Sequence, residues 1–245
     1  MDSEAETEHE WSESEGETSE HDDVRGARVH VAAQFSDTAT MREELEAGEN
    51  PNVRDYDGST PLYLVCLFAD KSRNEAATIE CIRLLLAHGA SPNTRNYGGG
   101  AGPLNYVAGF RSSEAVAMLL AAGAKVDTVD NLGFTPLHHA AARGVTDSVQ
   151  LLLDHGADVN CRTTREHEFA FPTPIPFGAS PIEMASRGHH RHLFPLLLRA
   201  GAENPIRFVY ISHQPYFDKV DAAGGIRAYE KQHRTALEKT FASKF

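Results

Sequence analysis

Apolar and polar positions alternate most regularly between residues 131 and 160, where they predict two short helices joined by a turn. The first helix begins at Thr135, whose side-chain oxygen can accept a hydrogen bond from the first turn. Pro136 suits the next position, because the N–H that proline lacks would have no partner there. Gly144 and Gly156 follow the two helices, and glycine readily takes the left-handed backbone that ends a helix.

The second helix of this pair is apolar at Val149 and at Leu151 to Leu153. Two short helices cannot bury such a side by themselves, so further copies are predicted beside them. The glycine that ends the second helix recurs at Gly48, Gly89, Gly123, Gly156 and Gly201. The helix openings recur at Ala27, Thr60-Pro61-Leu62, Gly102-Pro103-Leu104, Thr135-Pro136-Leu137 and Ser180-Pro181-Ile182. The compatible spacing of these points indicates an internal repeat.

The most regular unit carries Thr135-Pro136-Leu137-His138 followed by Ala140, and in this it closely resembles an ankyrin repeat. The resemblance covers about five units, at residues 27–204. It implies an all-α fold, an ankyrin-repeat solenoid of helix-turn-helix units with β-hairpin-like loops and a C-terminal capping helix. We therefore expect an ankyrin repeat domain at residues 25–204, with insertions near 70–77 and 162–178.

The N-terminal segment differs sharply from the repeats in composition. Residues 1–23 contain eleven Asp or Glu, no Lys or Arg, and hardly any aliphatic side chain. Such a segment buries too little apolar surface to offset the entropy of ordering, so residues 1–24 are predicted to be a disordered acidic tail. Ser12, Ser14 and Ser19 each precede an acidic residue by three positions, a pattern that acidophilic kinases favour. The tail is interpreted as solubilising, with a phosphorylated or partner-binding regulatory tail as the alternative.

Beyond residue 204 the repeat pattern stops, and residues 205–245 are expected to form a C-terminal extension. Apolar positions spaced three or four apart predict a helix at about residues 226–242. Its predicted role is to cap the last repeat, and a partner-binding peptide is the alternative. The Phe- and Pro-rich insertion near residues 162–178 is expected to pack on its own loops or, alternatively, to dock a partner.

The net charge is −12, but almost all of the excess lies in the acidic tail, so the repeats are close to neutral. This balance argues against a nucleic-acid-binding surface. Cys66, Cys81 and Cys161 are too few and too scattered for a disulfide framework or a zinc site. The start of the chain does not resemble a signal peptide, and no apolar run is long enough to cross a bilayer. We expect no membrane partner and a cytoplasmic or nuclear protein.

Catalytic motifs are absent from the sequence: it has no nucleophile elbow, HExxH, CxxC or glycine-rich dinucleotide fingerprint. We therefore expect no enzyme activity, no catalytic residues and no cofactor. His189, His190 and His192 lie close together, but two adjacent arginines oppose the binding of a cation. No metal site is predicted.

The resemblance implies recognition of another protein on the concave face, which loop tips and first helices form in ankyrin repeats. The outward positions of the repeat give these candidate partner-binding residues: Phe68, Tyr106, Phe110, Leu132, Phe134, His139, Arg143, Phe177, Met184 and Arg187. Each of them could instead pack against a neighbouring loop. We expect a monomeric adaptor or scaffold that binds a client protein. The alternative is a regulatory or inhibitory protein whose acidic, phosphorylatable tail acts against the groove or against basic partners.

One modification also follows from the resemblance. The segment from Leu152 to Asn160 fits the Leu-x5-Asp-aliphatic-Asn pattern that ankyrin asparaginyl hydroxylation favours. Asn160 is therefore predicted to be an acceptor of that modification.

Overall fold

The computed structural model describes residues 20–71, 74–98, 100–110, 113–164, 178–203 and 213–242, and only the backbone of 20–27, 71 and 235–242. The helices are α1 (Glu20–Phe35), α2 (Thr38–Glu46), α3 (Pro61–Phe68), α4 (Glu75–Ala87), α5 (Pro103–Ala108), α6 (Ser113–Ala121), α7 (Pro136–Arg143), α8 (Thr146–Asp154), α9 (Pro181–Arg187), α10 (Phe194–Arg199), α11 (Gln214–Ala222) and α12 (Ile226–Ala242). Short 3₁₀ helices span Ala69–Lys71 and Arg191–Leu193.

These helices form two layers. The first helices of successive units, α1, α3, α5, α7 and α9, pack each against the next, and so do the second helices α2, α4, α6 and α8. This arrangement confirms the predicted all-α solenoid. The loops between units contain no strand in the described residues; instead they are tight turns, as where the Asp130 amide donates to the Phe134 carbonyl at 3.0 Å.

The second to fifth units open in the same way, and the opening places one large apolar side chain in the core. Pro61, Pro103, Pro136 and Pro181 occupy the start of their helices. The residue after each proline is at most 2% exposed: Leu62, Leu104, Leu137 and Ile182. Proline fixes the backbone angle and the next side chain enters the core, so the opening sets both the start and the orientation of the helix.

The next residue of the opening links one unit to its successor. His138 Nε2 donates to the Ala179 carbonyl at 3.0 Å, and His30 Nε2 donates to the Ser59 carbonyl at the same distance. Asn105 Nδ2 donates to the Phe134 carbonyl at 3.1 Å. All three carbonyls directly precede the cap of the next first helix. We call these contacts the junction bonds. They identify His30 as the counterpart of His138 in the first, degenerate unit.

A second set of bonds joins the units at the turns after the second helices. Asn52, Asn93 and Asn160 each donate to a glycine carbonyl of the next unit, at Gly89, Gly123 and Gly201, over 2.9 to 3.0 Å. The side-chain oxygen of each asparagine also accepts a hydrogen bond from the backbone amide two residues after that glycine, at 2.7 to 2.9 Å. The corresponding residue of the third unit is Asp127, which accepts the Asp158 amide at 3.2 Å. A carboxylate cannot make the donating half of this contact.

The two ends of the chain adjoin the solenoid differently. The first helix begins at Glu20, so the predicted disordered tail is wrong for residues 20–24. Acidic side chains favour the positive N-terminus of a helix, an effect that composition alone does not reveal. Residues 1–19, with Ser12, Ser14 and Ser19, lie outside the described residues. At the other end α11 packs on the fifth unit, where the rings of Phe194 and Phe217 lie 4.8 Å apart.

The helix α12 completes the cap of the fifth unit. Arg199 of α10 forms two bonds to the Glu230 carboxylate of α12, at 3.1 and 2.6 Å. Tyr216 of α11 meets Tyr229 of α12 edge to face, with the ring centroids 5.7 Å apart. The last repeat is thus covered by two helices, α11 and α12, where the sequence pattern predicted one.

Replacing Asp127 with Asn tests the second set of bonds. The new amide should donate to the Gly156 carbonyl, as Asn93 does to Gly123, and stabilise the fold by roughly 0.5–1.5 kcal/mol. Thermal unfolding should then show a midpoint about 1–6 °C higher. Asp127→Ala is the control, and it should lower the midpoint because it leaves the Asp158 amide without this acceptor. An unchanged or lower midpoint for Asp127→Asn would contradict the account.

The junction bond of His138 predicts a pH dependence. Burial lowers the pKa of His138 to about 4, and its Nδ1 accepts the Thr135 amide, so the ring is neutral in the fold. The unfolded chain takes up a proton near pH 6.5 and the fold does not, so stability falls as the pH drops from 6.5 towards 4. Between pH 7 and pH 5 the loss is about 2 kcal/mol.

His138→Asn isolates this contribution, because Asn105 shows that asparagine fits the same position. Urea unfolding at pH 7 and pH 5 should show a smaller loss of stability in the variant than in the natural protein, by about 2 kcal/mol. Equal losses in both proteins would show that His138 does not stay neutral in the fold.

Candidate functional site

The junction bonds align the first helices residue by residue, and two rows of side chains emerge on the side away from the second helices. The first row lies one residue after the junction position and contains Val31, Leu64, Tyr106 and His139. The second row lies four residues further on and contains Phe35, Phe68, Phe110 and Arg143. We call these two rows the first-helix face.

The exposure of this face is greatest in the first unit. Val31 is 55% exposed and Phe35 is 72% exposed. Leu64, Phe68 and Tyr106 are partly buried, and Phe110 is 9% exposed. The sequence pattern predicted Phe68, Tyr106 and Phe110 as surface residues but not Val31 and Phe35, because the first unit lacks the Thr-Pro opening that marks the position of a first helix. Their signal was the position of His30, which sets the register of the first unit.

Several of the predicted partner-binding residues take other places. Phe134 and Met184 are buried in the core at 4% and 0% exposure, so their prediction as surface residues is wrong. The Phe134 ring packs against His138 and His139, with centroids 5.7 and 5.5 Å apart, because its loop turns inward over α7. Leu132 and Arg187 are partly buried. Phe177 lies outside the described residues.

Tyr106 is held in place by the unit before it. Its hydroxyl lies 3.0 Å from the Tyr63 hydroxyl, and the two rings meet edge to face with centroids 5.5 Å apart. Burial, together with the bond to Tyr106, raises the pKa of Tyr63. The Tyr63 hydroxyl therefore stays protonated at neutral pH, and its contact with Tyr106 fixes the Tyr106 ring on the first-helix face.

His139 is oriented by a carboxylate of its own unit. Its Nε2 lies 3.2 Å from Asp130 Oδ2, while Asp130 Oδ1 accepts the amides of Leu132 and Phe134 at 2.9 Å. Burial would raise the pKa of Asp130, but the bonds from His139 and the two amides outweigh it and lower the pKa. Asp130 is thus ionised and ties the loop to α7.

A pocket opens between α3, α5 and α7, at the ends of these helices. Its volume is about 260 Å³, and Cys66, Leu67, Tyr106 and Phe110 supply apolar walls. Arg143 reaches across it to Asp70, with Nη2 and Oδ2 3.2 Å apart. This contact joins the fourth unit to the second over the third.

The loop tips carry two exposed tyrosines that are not among the predicted partner-binding residues. Tyr56 is 91% exposed and Tyr97 is 76% exposed. The Tyr97 amide donates to the Asp57 carbonyl at 2.8 Å, which joins the tips of neighbouring units. The Tyr97 ring covers Gly58, where a Cβ would lie 2.7 Å from the ring and φ is +76°. Glycine is therefore required at this close contact.

The described residues show neither a metal-binding cluster nor a cysteine with a lowered pKa. They contain no group of three or more His, Cys, Asp or Glu that could hold a metal ion. Burial raises the pKa of the thiols, to about 12 at Cys81 and about 11 at Cys161, and that of Cys66 as well. These thiols are protonated and are poor nucleophiles at neutral pH. None of the helices described is long and apolar enough to cross a membrane.

Comparison with known proteins agrees with this architecture. A family model described as ankyrin repeats, in three copies, matches residues 29–130, 72–163 and 104–208. The chain belongs to the ankyrin repeat family. Ankyrin repeats generally mediate protein–protein interaction, and the family is typically not enzymatic.

Individual relatives are similar over the repeats. The chain is 31% identical to the mouse B-cell lymphoma 3 protein homolog over 195 residues, which are 76% of this chain and 38% of that protein. It is 29% identical to human neurogenic locus notch homolog protein 1 over 138 residues, 56% of this chain and 5% of that protein. It is 34% identical to the fission yeast glycerophosphocholine phosphodiesterase gde1 over 104 residues, 42% of this chain and 8% of that enzyme. The chain thus spans less than half of the length of each.

Asn160, the predicted hydroxylation acceptor, belongs to the second set of inter-unit bonds. Its amide nitrogen donates to the Gly201 carbonyl at 3.0 Å and its oxygen accepts the Glu203 amide at 2.8 Å. The side chain is thus engaged on both sides, so an enzyme could reach it only in a locally opened chain. The modification stays a prediction.

Mass spectrometry of the peptide that contains Asn160 tests the predicted hydroxylation. In cells that hold an asparaginyl hydroxylase, the peptide should show a fraction heavier by one oxygen atom, and Asn160→Gln should abolish this fraction. Asn93, in the same structural position, serves as the internal comparison, because its sequence context lacks the pattern. A peptide found only in the unmodified form would contradict the prediction.

Proposed function

We propose that this protein is an adaptor or scaffold that binds a client protein on its first-helix face, which is the concave face of ankyrin domains. The observation that carries the proposal is the exposure of Val31 and Phe35 at 55% and 72%, in line with the apolar residues of the next two units. Together they form an apolar stripe along three successive units. Contiguous apolar surface of this kind is typical of interaction sites on soluble proteins.

The expected energies are large enough to matter for binding. Full burial of a side chain such as Val or Phe is worth about 1.5–3 kcal/mol relative to exposure. Aromatic residues in particular dominate the energetics of protein interfaces. Phe35, Phe68 and Tyr106 lie in adjacent units, so a partner segment that runs along the solenoid would contact all three. Binding along the whole stripe therefore gains more free energy from apolar burial than contact with a single repeat would.

The charges near the stripe favour a protein partner over a nucleic acid. Arg143 is paired with Asp70, and His139 with Asp130. The face therefore lacks the run of unpaired cations that phosphate backbones require. We further propose that the protein is not an enzyme, needs no cofactor, acts as a monomer, and lies in the cytoplasm or nucleus. A regulatory role of the acidic tail stays a prediction, since residues 1–19 lie outside the described part of the chain.

The double variant Val31→Glu with Phe35→Glu tests the proposed face. Both side chains are exposed, so the fold should persist, while two charges should prevent an apolar contact. Affinity capture from the native cells, followed by quantitative mass spectrometry, should show the client depleted at least tenfold. The purified client should then bind the variant correspondingly weakly in a direct titration.

The control is Ala87→Glu with Ala121→Glu. It makes the same change of charge at exposed positions, at the ends of α4 and α6 in the second-helix layer. Client capture by this control should stay within twofold of the natural protein. If both double variants retain the same partners, the first-helix face is not the binding surface.

A further inference from the structure

We propose that the pocket between α3, α5 and α7 is an anchor site for one aromatic side chain of the client, a tryptophan or a tyrosine. This inference rests on the proposed function and names the chemistry that the client must present. We call the pocket the anchor pocket. It lies at the end of the apolar stripe, so a segment that follows the stripe reaches it.

The pocket exists because the third unit has a shortened first helix. The helix α5 has six residues, whereas α3 and α7 on either side have eight each. The chain leaves the helix at Gly109, at the position that Leu67 occupies in the second unit and Ala142 in the fourth. A shorter helix and a missing side chain together leave the space that its neighbours would fill.

Gly109 also determines how far the pocket is open. A Cβ at this position would lie 3.1 Å from Arg143 Cγ and 3.5 Å from the His139 carbonyl oxygen. The stem of Arg143 therefore lies directly over the glycine. The backbone angles at Gly109, φ −85° and ψ −1°, are accessible to any residue. The glycine is thus required by the space in the pocket and not by the conformation of the chain.

The size and walls of the pocket suit a single side chain. Its volume of about 260 Å³ is below the range of sites that hold free small molecules. The walls combine the rings of Tyr106 and Phe110 with Leu67 and the sulfur of Cys66. Rings favour edge-to-face or offset contacts with other rings, and sulfur makes favourable contacts with ring edges. These walls match an aromatic occupant better than an aliphatic one.

The polar rim completes the match. The side chain of Arg143 is 60% exposed, and its guanidinium complements the negative face of an aromatic ring. Asp70, 65% exposed, offers an acceptor for an indole N–H or a phenol O–H. Exposed ion pairs such as Arg143–Asp70 are weak, so an occupant can separate the two groups.

The other polar groups of the lining are already used within the fold. Asn105 donates to the carbonyls of Thr128 and Phe134 and accepts the Gly102 amide. His139 is bonded to Asp130. The rim thus offers one positive and one negative group. A charged occupant would meet a like charge at this rim, whereas an aromatic ring with one donor can contact both groups favourably.

Nuclear magnetic resonance on the full chain tests the anchor pocket with a defined probe, N-acetyl-L-tryptophanamide. The backbone amide of Gly109 and the methyl groups of Leu67 report on the pocket. They should shift in a saturable manner at millimolar probe, and N-acetyl-L-leucinamide should bind at least fivefold more weakly. Absence of saturable shifts at both residues would overturn the proposal.

Three variants locate the binding. Gly109→Leu fills the pocket and should weaken the probe at least tenfold. Arg143→Ala removes the cation at the rim and should weaken it roughly two- to fivefold. Arg42→Ala is the matched control, because Arg42 is also an exposed arginine in an ion pair, with Glu80 at 3.0 Å in the second-helix layer. Probe affinity should be unchanged in this control.

Circular dichroism checks that each variant is folded. If Gly109→Leu does not fold, it is replaced by Gly109→Ala, whose Cβ would lie 3.1 Å from Arg143 Cγ, displace the Arg143 stem and still weaken probe binding at least twofold. Probe shifts that survive the filling variant would place binding elsewhere and would overturn the anchor pocket.

Failure of the anchor pocket can be distinguished from failure of the proposed function. Loss of client binding in Val31→Glu with Phe35→Glu, together with a tryptophan probe that does not bind, would uphold the first-helix face and refute the anchor pocket. Probe binding that Gly109→Leu abolishes, together with unimpaired client capture by the double variant, would uphold the pocket as an aromatic site and refute the apolar stripe.

Discussion

The structure depends on the junction bonds, in which a side chain at a fixed position of α1, α5 and α7 reaches a backbone carbonyl just ahead of the next first helix. His30, Asn105 and His138 make this contact over 3.0 to 3.1 Å. A buried carbonyl without a partner is costly, so each bond holds the next unit at one distance and one rotation. The second unit departs from the rule, since Tyr63 bonds to the Tyr106 hydroxyl instead.

The functional surface follows from this constraint. Once the junction position points towards the next unit, the residues one and five places further on point away from the second-helix layer. None of them occupies the junction position, and so their chemistry differs along the chain, from Val31 through Tyr106 to His139. The pocket depends on the same constraint. The junction bond of Asn105 holds the third unit in place even though its first helix ends early, and the early end leaves the space of the pocket. Fold and recognition thus use different positions of the same short helices.

Sequence reasoning recovers what is local and periodic. The Thr-Pro-Leu-His opening specifies the cap, the core residue and the junction bond, so the fold follows from one unit. It fails where several units meet. Phe134 and Met184 look outward by position but are buried at 4% and 0% exposure by neighbouring segments. The pocket rests on Arg143 and Asp70, which are 73 residues apart and meet only because α5 is short. The first unit, which contains Val31 and Phe35, lacks the proline that marks the start of the other first helices. Only the hydrogen bond of His30 sets its register.

Hydrogen exchange of the protein, alone and with its purified client, tests the central claim that recognition uses the first-helix face. The account predicts slower amide exchange in α1, α3 and α5 when the client is bound, with α2, α4 and α6 little changed. First and second helices alternate along the chain, so peptides from both layers occur throughout the same region. Each layer therefore serves as the control for the other. Slowing confined to the second helices, or to the C-terminal helices α11 and α12, would contradict the account.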